Sequence, residues 1–172
     1  MSKILVAYFS HSGETYYVGN VKDGNTKVVA TFINDYVKGD LYHIDKKEGY
    51  NVSLDELGRI CEKEKKANAR PELKNKISNF EQYDTVFIGY PMWSHDCPMP
   101  VYTFLETYDF SNKTVIPFTT HEGGGPENTY LQIKKILNKS KVNLNGFDIS
   151  GKEGRKESSR KLVEKWLKKL GF

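Results

Sequence analysis

Apolar residues along this chain follow two alternating patterns, one typical of buried strands and the other of amphipathic helices. Three continuous apolar runs, at residues 4–9, 86–90 and 115–118, are rich in strand-forming residues and predict strands buried on both faces. Weaker strands are expected at residues 41–44 and within residues 142–149. Strands buried on both faces are typical of a parallel sheet.

Between these runs, apolar residues recur at the three- and four-residue spacing of helices. This spacing predicts helices at residues 29–37 and 100–108, and a capping box at residues 53–56 opens another. Two more helices are expected, one that starts at Pro126 and one in the segment 151–172.

Five strands that alternate with helices predict an α/β fold in which a doubly wound, five-stranded parallel sheet lies between two helical layers. No repeat or linker divides the chain, so residues 1–172 are expected to form a single domain. Because ligands of such sheets bind beyond the carboxyl ends of the strands, the loops after the three strong strands are the candidate site.

The loop after the first strand has the composition of an anion site. Ser10 and Ser12 supply hydroxyl groups beside a glycine, in neither the Walker nor the GxGxxG pattern, and a plain turn is the alternative. The periodic helix begins only at about residue 25, so we interpret residues 13–24 as an insertion. Asn25 and Thr26, at the start of that helix, are then expected to complete a phosphate cradle.

Two further loops offer surfaces to a flat ligand. The proline-rich loop after the second strong strand places large apolar side chains at the sheet edge, with local core packing as the alternative. Three consecutive glycines after the third strong strand permit close backbone approach, with a flexible linker as the alternative. The residues predicted to bind the ligand in these two loops are Pro91, Met92, Trp93, Ser94, Thr119, Thr120, His121, Glu122, Gly123 and Gly124.

Charge and cysteine content narrow the function classes. The net charge is +4, but residues 151–172 hold +5 and the rest of the chain −1, which we interpret as one solvated basic helix face and not a nucleic-acid site. Two cysteines without a CxxC pair predict free thiols and no metal site, and a catalytic thiol at Cys97 is the less favoured alternative. No apolar run approaches the roughly 20 residues of a membrane span, so a cytoplasmic protein is expected.

The chain resembles the flavodoxin-like family of FMN proteins over nearly its whole length. Four segments carry the resemblance, in this order: ILVAYFSHSG, GNTKVVA, YDTVFIGYPMW and MPVYTFLETYDFSNKTVIPFTTHEGGG. The resemblance implies FMN at the carboxyl edge of a five-stranded parallel sheet. It also implies that the flavin lies between the loops 91–94 and 119–124. The phosphate would be held by Ser10, Ser12, Asn25 and Thr26. Many relatives have an uninterrupted SxSGNT phosphate loop, whereas residues 13–24 split it here.

The charge distribution then bears on the function. A shuttle of single electrons is expected to be acidic around its flavin, and this body is nearly neutral. We therefore expect an FMN-dependent oxidoreductase that passes electrons from a reduced donor to a quinone-like or other flat acceptor, with His95 or His121 close enough to donate a proton. Two alternatives stay open: a flavodoxin-type carrier that serves a redox partner, and a non-catalytic module that binds a phosphorylated ligand.

Overall fold

One parallel sheet organises the chain, and the computed structural model describes it for residues 3–172. The strands lie in the order β4-β1-β5-β6, and both β7 and β8 pair with the far side of β6. The elements in chain order are β1 Ile4–Tyr8, β2 Gly13–Thr15, β3 Gly19–Val21, α1 Asn25–Val37, β4 Asp40–His43, α2 Leu54–Lys66, a 3-10 turn Phe80–Gln82, β5 Thr85–Pro91, α3 Met99–Thr107, β6 Thr114–His121, α4 Thr129–Ile136, β7 Lys141–Val142, β8 Phe147–Ser150, α5 Gly151–Gly154 and α6 Ser159–Leu170.

The side chains of β1 show how the sheet is buried on both faces. Leu5 and Ala7 point into a core that α3 and α4 close, whereas Val6 and Tyr8 point into a second core under α1 and α6. Because neither face of β1 contacts water, both faces need apolar side chains, and this explains the unbroken apolar run at residues 4–9. The predicted doubly wound, three-layer α/β fold is confirmed.

The fifth strand position is divided between two short strands. We expected one strand within residues 142–149, but β7 and β8 are separated by residues 143–146. The Val115 carbonyl accepts from the Asn143 N–H, so Val115 and its alternate neighbour Pro117 both face this edge. Pro117 has no N–H to donate, and the edge strand is interrupted beside it.

Glycine lets the chain return to the sheet after this interruption. A Cβ at position 146 would lie 2.5 Å from the Pro117 carbonyl oxygen and 2.5 Å from the Tyr130 ring. The indole of Trp166 donates to the Asn145 carbonyl at 2.9 Å and so satisfies one polar group of the interruption. The gap is therefore a packed feature of the fold.

The start of α1 agrees with the expected insertion. The helix begins at Asn25, and the residues before it fold as the antiparallel hairpin β2–β3, in which Gly13 pairs with Val21. Residues 13–24 therefore leave the sheet and return without adding to it.

Two other helix starts were also predicted, one correctly. Ser53 caps α2, its hydroxyl accepting from the Glu56 N–H, as the capping box predicts. The start of α4 at Pro126 was wrong, because the helix begins at Thr129. Residues 126–128 form a turn in which the Thr129 N–H and hydroxyl both donate to the Pro126 carbonyl. Among the helices of residues 3–172, none combines the length and the apolar character needed to cross a bilayer.

Candidate functional site

A pocket opens at the carboxyl edge of the sheet, beside the point where the strand order reverses between β1 and β5. The loops after β1, β5 and β6 all contribute to it, as the sequence predicted from the strand ends. The predicted residues that line the pocket are Ser10, Asn25, Thr26, Pro91, Met92, Trp93, Ser94, Thr120, His121 and Glu122.

One end of the pocket is polar and is built on the first turn of α1. Gly24 precedes the helix and has no side chain with which to cap it, and no acidic residue lies in the first turn. The Ser10 hydroxyl accepts from the Lys27 N–H at 3.1 Å, and the Thr26 hydroxyl lies 2.8 Å from that of Thr120. Free N–H groups, the positive end of a helix dipole and several hydroxyls together suit an anion.

Gly24 allows the two halves of this polar end to meet. A Cβ at position 24 would collide with the His11 carbonyl oxygen and the Ser10 hydroxyl. The hairpin separates these residues along the sequence, but they are adjacent in space. The residues present therefore fit a phosphate group, because the loop after β1 and the start of α1 form one concave surface that only glycine leaves open.

Trp93 forms the aromatic wall of the pocket and is also a packing residue. Its ring contacts those of Phe9 at 5.0 Å and Tyr50 at 5.3 Å between centroids, both edge to face. It also approaches the His11 ring at 5.9 Å. Trp93 therefore packs against the core and also lines the pocket, and its contact with a ligand stays a prediction.

Helix α2 and the hairpin supply a wall that the sequence did not predict. The apolar stripe of Leu54, Leu57 and Cys61 faces the pocket together with Tyr16 of the hairpin. Glu14 links the two elements, since its carboxylate accepts from the Leu54 N–H at 3.3 Å. The spacing of the stripe was visible in the sequence, but such a stripe ordinarily covers a core, so nothing marked it as a pocket wall.

Four of the predicted ligand residues do not line this pocket. Thr119 is fully buried, and its hydroxyl lies 3.3 Å from the Tyr130 hydroxyl. Ser12, Gly123 and Gly124 are exposed outside the lining. Their contact with a ligand stays a prediction.

Two residues considered for chemistry lie away from the pocket. The His95 side chain is 82% exposed, its Nδ1 is 2.7 Å from the Glu127 carboxylate, and it does not line the pocket. Of the two histidines expected near the flavin, His95 is therefore the one that lies outside the pocket. Cys97 is fully buried and lies outside the lining, and burial raises the pKa of its thiol, so it is not a candidate nucleophile.

His121, in contrast, lines the pocket in a defined tautomer. Its Nδ1 accepts from the Gly123 N–H at 3.0 Å, so the ring proton of the neutral form is on Nε2. Nε2 lies 3.1 Å from the Asp148 carboxylate, which can accept that proton's hydrogen bond. The ring is therefore oriented from both sides.

Burial shifts the pKa of three other groups that line the pocket. It lowers the pKa of His11, which favours the neutral imidazole, and it raises the pKa of Glu122. Burial raises the pKa of Cys61 to about 12, so this thiol stays protonated at neutral pH. Within residues 3–172, no group of three or more His, Cys, Asp and Glu side chains is placed to hold a metal ion.

The strand order and the position of the pocket are those of the flavodoxin-like class of α/β proteins. The comparison with family models gives the same result. The chain belongs to the flavodoxin family, whose sequence model matches residues 3–170. Membership in this family of FMN proteins confirms the prediction that FMN is the cofactor.

Several solved structures have the same fold over almost their whole length. A "putative flavoprotein" from Bacteroides eggerthii DSM 20697 is 30% identical with a TM-score of 0.76, covering 100% of this chain and 99% of that one. A second, from Bacteroides uniformis ATCC 8492, is 28% identical with a TM-score of 0.79, covering 97% and 98%. A flavoprotein from Lactobacillus acidophilus NCFM, solved in complex with FMN, is 23% identical with a TM-score of 0.69, covering 97% and 99%. No curated protein matched in a sequence search.

Proposed function

We propose that this flavoprotein is an oxidoreductase that passes electrons from a reduced donor to a quinone-like or other flat acceptor. The observation that supports the proposal is that one pocket joins a helix start preceded by Gly24 to an aromatic and apolar wall. A ligand with a phosphate, a flexible stem and a flat ring matches such a pocket, and FMN has all three.

The residues of the polar end would hold the phosphate, and those of the loops would hold the ring. Ser10, Asn25 and Thr26 are the phosphate residues in this proposal. Trp93 and the backbone at the end of β6, at 120–122, would flank the ring. When bound, FMN supplies the capacity to take up and release electrons singly or in pairs.

The wall of α2 and the hairpin supports an enzyme over a carrier. Leu57 is buried beside the pocket, whereas Tyr16 is 58% exposed while lining it, and such surface suits a flat apolar molecule next to the cofactor. His121 lines the same pocket, but its Nδ1 accepts from the Gly123 N–H and its Nε2 faces the Asp148 carboxylate, so donation to a ligand requires Nε2 to leave Asp148. The reduced donor, the acceptor and a cytoplasmic location stay predictions.

The first test concerns the phosphate. Apoprotein is titrated with FMN and with riboflavin, and binding is followed by quenching of flavin fluorescence. Each hydrogen bond to a charged group is worth ~1.5–3 kcal/mol, so losing two or more of them should weaken riboflavin by at least about a hundredfold. Equal affinities would show that the start of α1 holds no phosphate.

The second test separates the enzyme from its alternatives. The flavin-loaded protein is reduced stepwise under anaerobic conditions and is then assayed for turnover of NADH or NADPH with benzoquinone. The proposal predicts reduction in a single two-electron step together with quinone turnover. Two resolved one-electron steps without turnover would favour the carrier, and a purified protein that binds no flavin would favour the phospholigand module.

A further inference from the structure

Arg155, directly after α5, reaches across the molecule to the start of α1. Its Nη1 donates to the Asp23 carbonyl oxygen at 2.6 Å and to the Asn25 side-chain oxygen at 3.3 Å. The residues it contacts are about 130 positions away along the sequence. Arg155 is half-buried, and within residues 3–172 its side chain forms no ion pair with a carboxylate.

The arginine determines which end of the Asn25 amide is free. A guanidinium group has donors only, so the amide oxygen must face Arg155 and the amide NH₂ must point away from it. The NH₂ group lies over Gly151, where a Cβ would collide with it. Because Asn25 lines the pocket, the group it can offer there is a donor, which is the polarity that a phosphate oxygen requires, and the Glu122 carboxylate lies near the same position over Gly151.

Arg155 also shares the Asp23 carboxylate with two lysines, so this cluster keeps a net positive charge. Lys27, the nearest lysine on α1, is paired with Asp23 at 2.6 Å. Arg155 instead donates to two neutral oxygens behind the start of α1. The excess of cations over the single Asp23 carboxylate increases the attraction of this helix end for an anion.

We propose that Arg155 is a positioning residue for the FMN phosphate, because it holds Asn25 with its amide NH₂ directed to the phosphate. The inference rests on the proposed phosphate site and adds a residue that no loop motif contains. It predicts that Arg155 affects the recognition of the phosphate and not of the flavin ring.

The test compares FMN with riboflavin in variants of the full chain. Arg155→Met keeps the length of the side chain and removes its donors, and Arg155→Lys keeps the charge but not the fork. We expect Arg155→Met to weaken FMN by about tenfold or more while riboflavin changes by less than about twofold. Arg155→Lys should lie between Arg155→Met and the parent protein, because a single ammonium replaces the fork.

A double-mutant cycle with Asn25→Ala tests the route through Asn25. If Arg155 acts by orienting Asn25, Asn25→Ala should add little to the loss already caused by Arg155→Met. Additive losses, or equal losses of FMN and riboflavin, would overturn the inference. Thermal unfolding of the apoproteins shows whether each variant folds. If Arg155→Met does not fold, the comparison of FMN with riboflavin is made with Arg155→Lys.

The two proposals fail in different ways. A parent protein that binds FMN and riboflavin equally would contradict the phosphate site itself. A parent protein that prefers FMN, together with Arg155 variants that keep the full preference, would contradict only the role of Arg155.

Discussion

Thr26 is the residue at which the helix start and the sheet edge meet. It is buried in the first turn of α1, and its hydroxyl lies 2.8 Å from that of Thr120 at the end of β6. Thr15, which also lines the pocket, donates instead to the Gly19 carbonyl within the hairpin. The two threonines therefore provide a matched pair with different partners.

We predict that Thr26→Ala weakens FMN binding more than Thr15→Ala does. The loss of a hydroxyl beside a charged phosphate costs ~1.5–3 kcal/mol, or roughly tenfold or more in affinity. Titration of the two apoproteins with FMN measures the difference, and Thr26→Ser is the control that keeps the hydroxyl. The reverse order of affinities would contradict the assignment of the phosphate to the start of α1.

His11 makes the stability of the apoprotein depend on pH. Burial holds its pKa below the ordinary value of 6.5, so the unfolded chain binds a proton there more readily than the folded chain. The stabilisation by the neutral ring is thus complete above 6.5, and it is lost as the pH falls from that value to the pKa of the folded state.

Urea unfolding at about pH 7.5 and about pH 5.5 tests this for the parent protein and for His11→Gln. The free energy of unfolding should fall less between the two pH values in the variant than in the parent. Other groups titrate in both proteins, so the difference between the two slopes isolates His11. Identical slopes would mean that the histidine is as accessible to protons in the folded state as in the unfolded chain.

At the scale of elements, the hairpin β2–β3 is inserted into the loop that connects β1 to α1. It places Tyr17 at 80% exposure, and its two ends are paired, Gly13 with Val21. Gly24 is in contact with the residues that precede the hairpin. Removing residues 13–23 would therefore join segments that are already close and restore the uninterrupted sequence Ser-His-Ser-Gly-Asn-Thr.

We predict that this deletion keeps FMN binding within about tenfold of the parent affinity, since the phosphate residues all lie outside it. Acceptor preference should change, because Thr15 and Tyr16 of the pocket wall are removed. Fluorescence titration gives the affinity, and turnover of quinones of different size gives the preference. A deletion variant that folds but binds no FMN would show that the hairpin itself holds the cofactor.

The elements that could be predicted from the sequence are those whose pattern has one physical cause. Continuous apolar runs gave the three central strands because both faces are buried, and the distance from residue 10 to the periodic helix indicated the insertion. The strands of the hairpin have only three residues each and are half exposed, so no periodicity marks them. The division of the fifth strand depends on its neighbour, Pro117, and local sequence does not reveal which strands are neighbours.

The part of the candidate site that could be predicted from the sequence is the part built by the ends of the central strands. Residues that directly follow β1, β5 and β6 were found because strand ends converge in any parallel sheet. Helix α2 and Arg155 were missed, since their positions beside the pocket depend on tertiary packing. His95 lies outside the pocket because it is at the tip of a two-residue turn, in which Ser94 and His95 have positive φ and Trp93 pairs with Asp96.

For the whole molecule, charge is the property that separates an enzyme acting on neutral molecules from a carrier. The chain has a net charge of +4, and the excess is in residues 151–172. In α6, Lys161, Lys165 and Lys168 are exposed on the side away from the core. No strong field from the rest of the molecule is then expected to steer a charged partner to the pocket.

We predict that the rate of benzoquinone reduction changes by less than about twofold when salt is raised from about 0.02 to about 0.3 M. A neutral acceptor has only a weak electrostatic interaction with the basic helix or with the pocket. Steady-state turnover over a salt series measures this, with ferricyanide as the charged control. A drop of about tenfold or more for benzoquinone would contradict this prediction.

The division of the fifth strand affects how molecules of this protein meet one another. An unbroken outer strand offers a row of free N–H and C=O groups on which a strand of another molecule can add. Here that border consists of Lys141–Val142 and Phe147–Ser150, with residues 143–146 between them. An incoming strand could match only one short piece before losing its hydrogen-bond partners. This border of the sheet therefore offers an incoming strand fewer consecutive partners than an unbroken edge strand would.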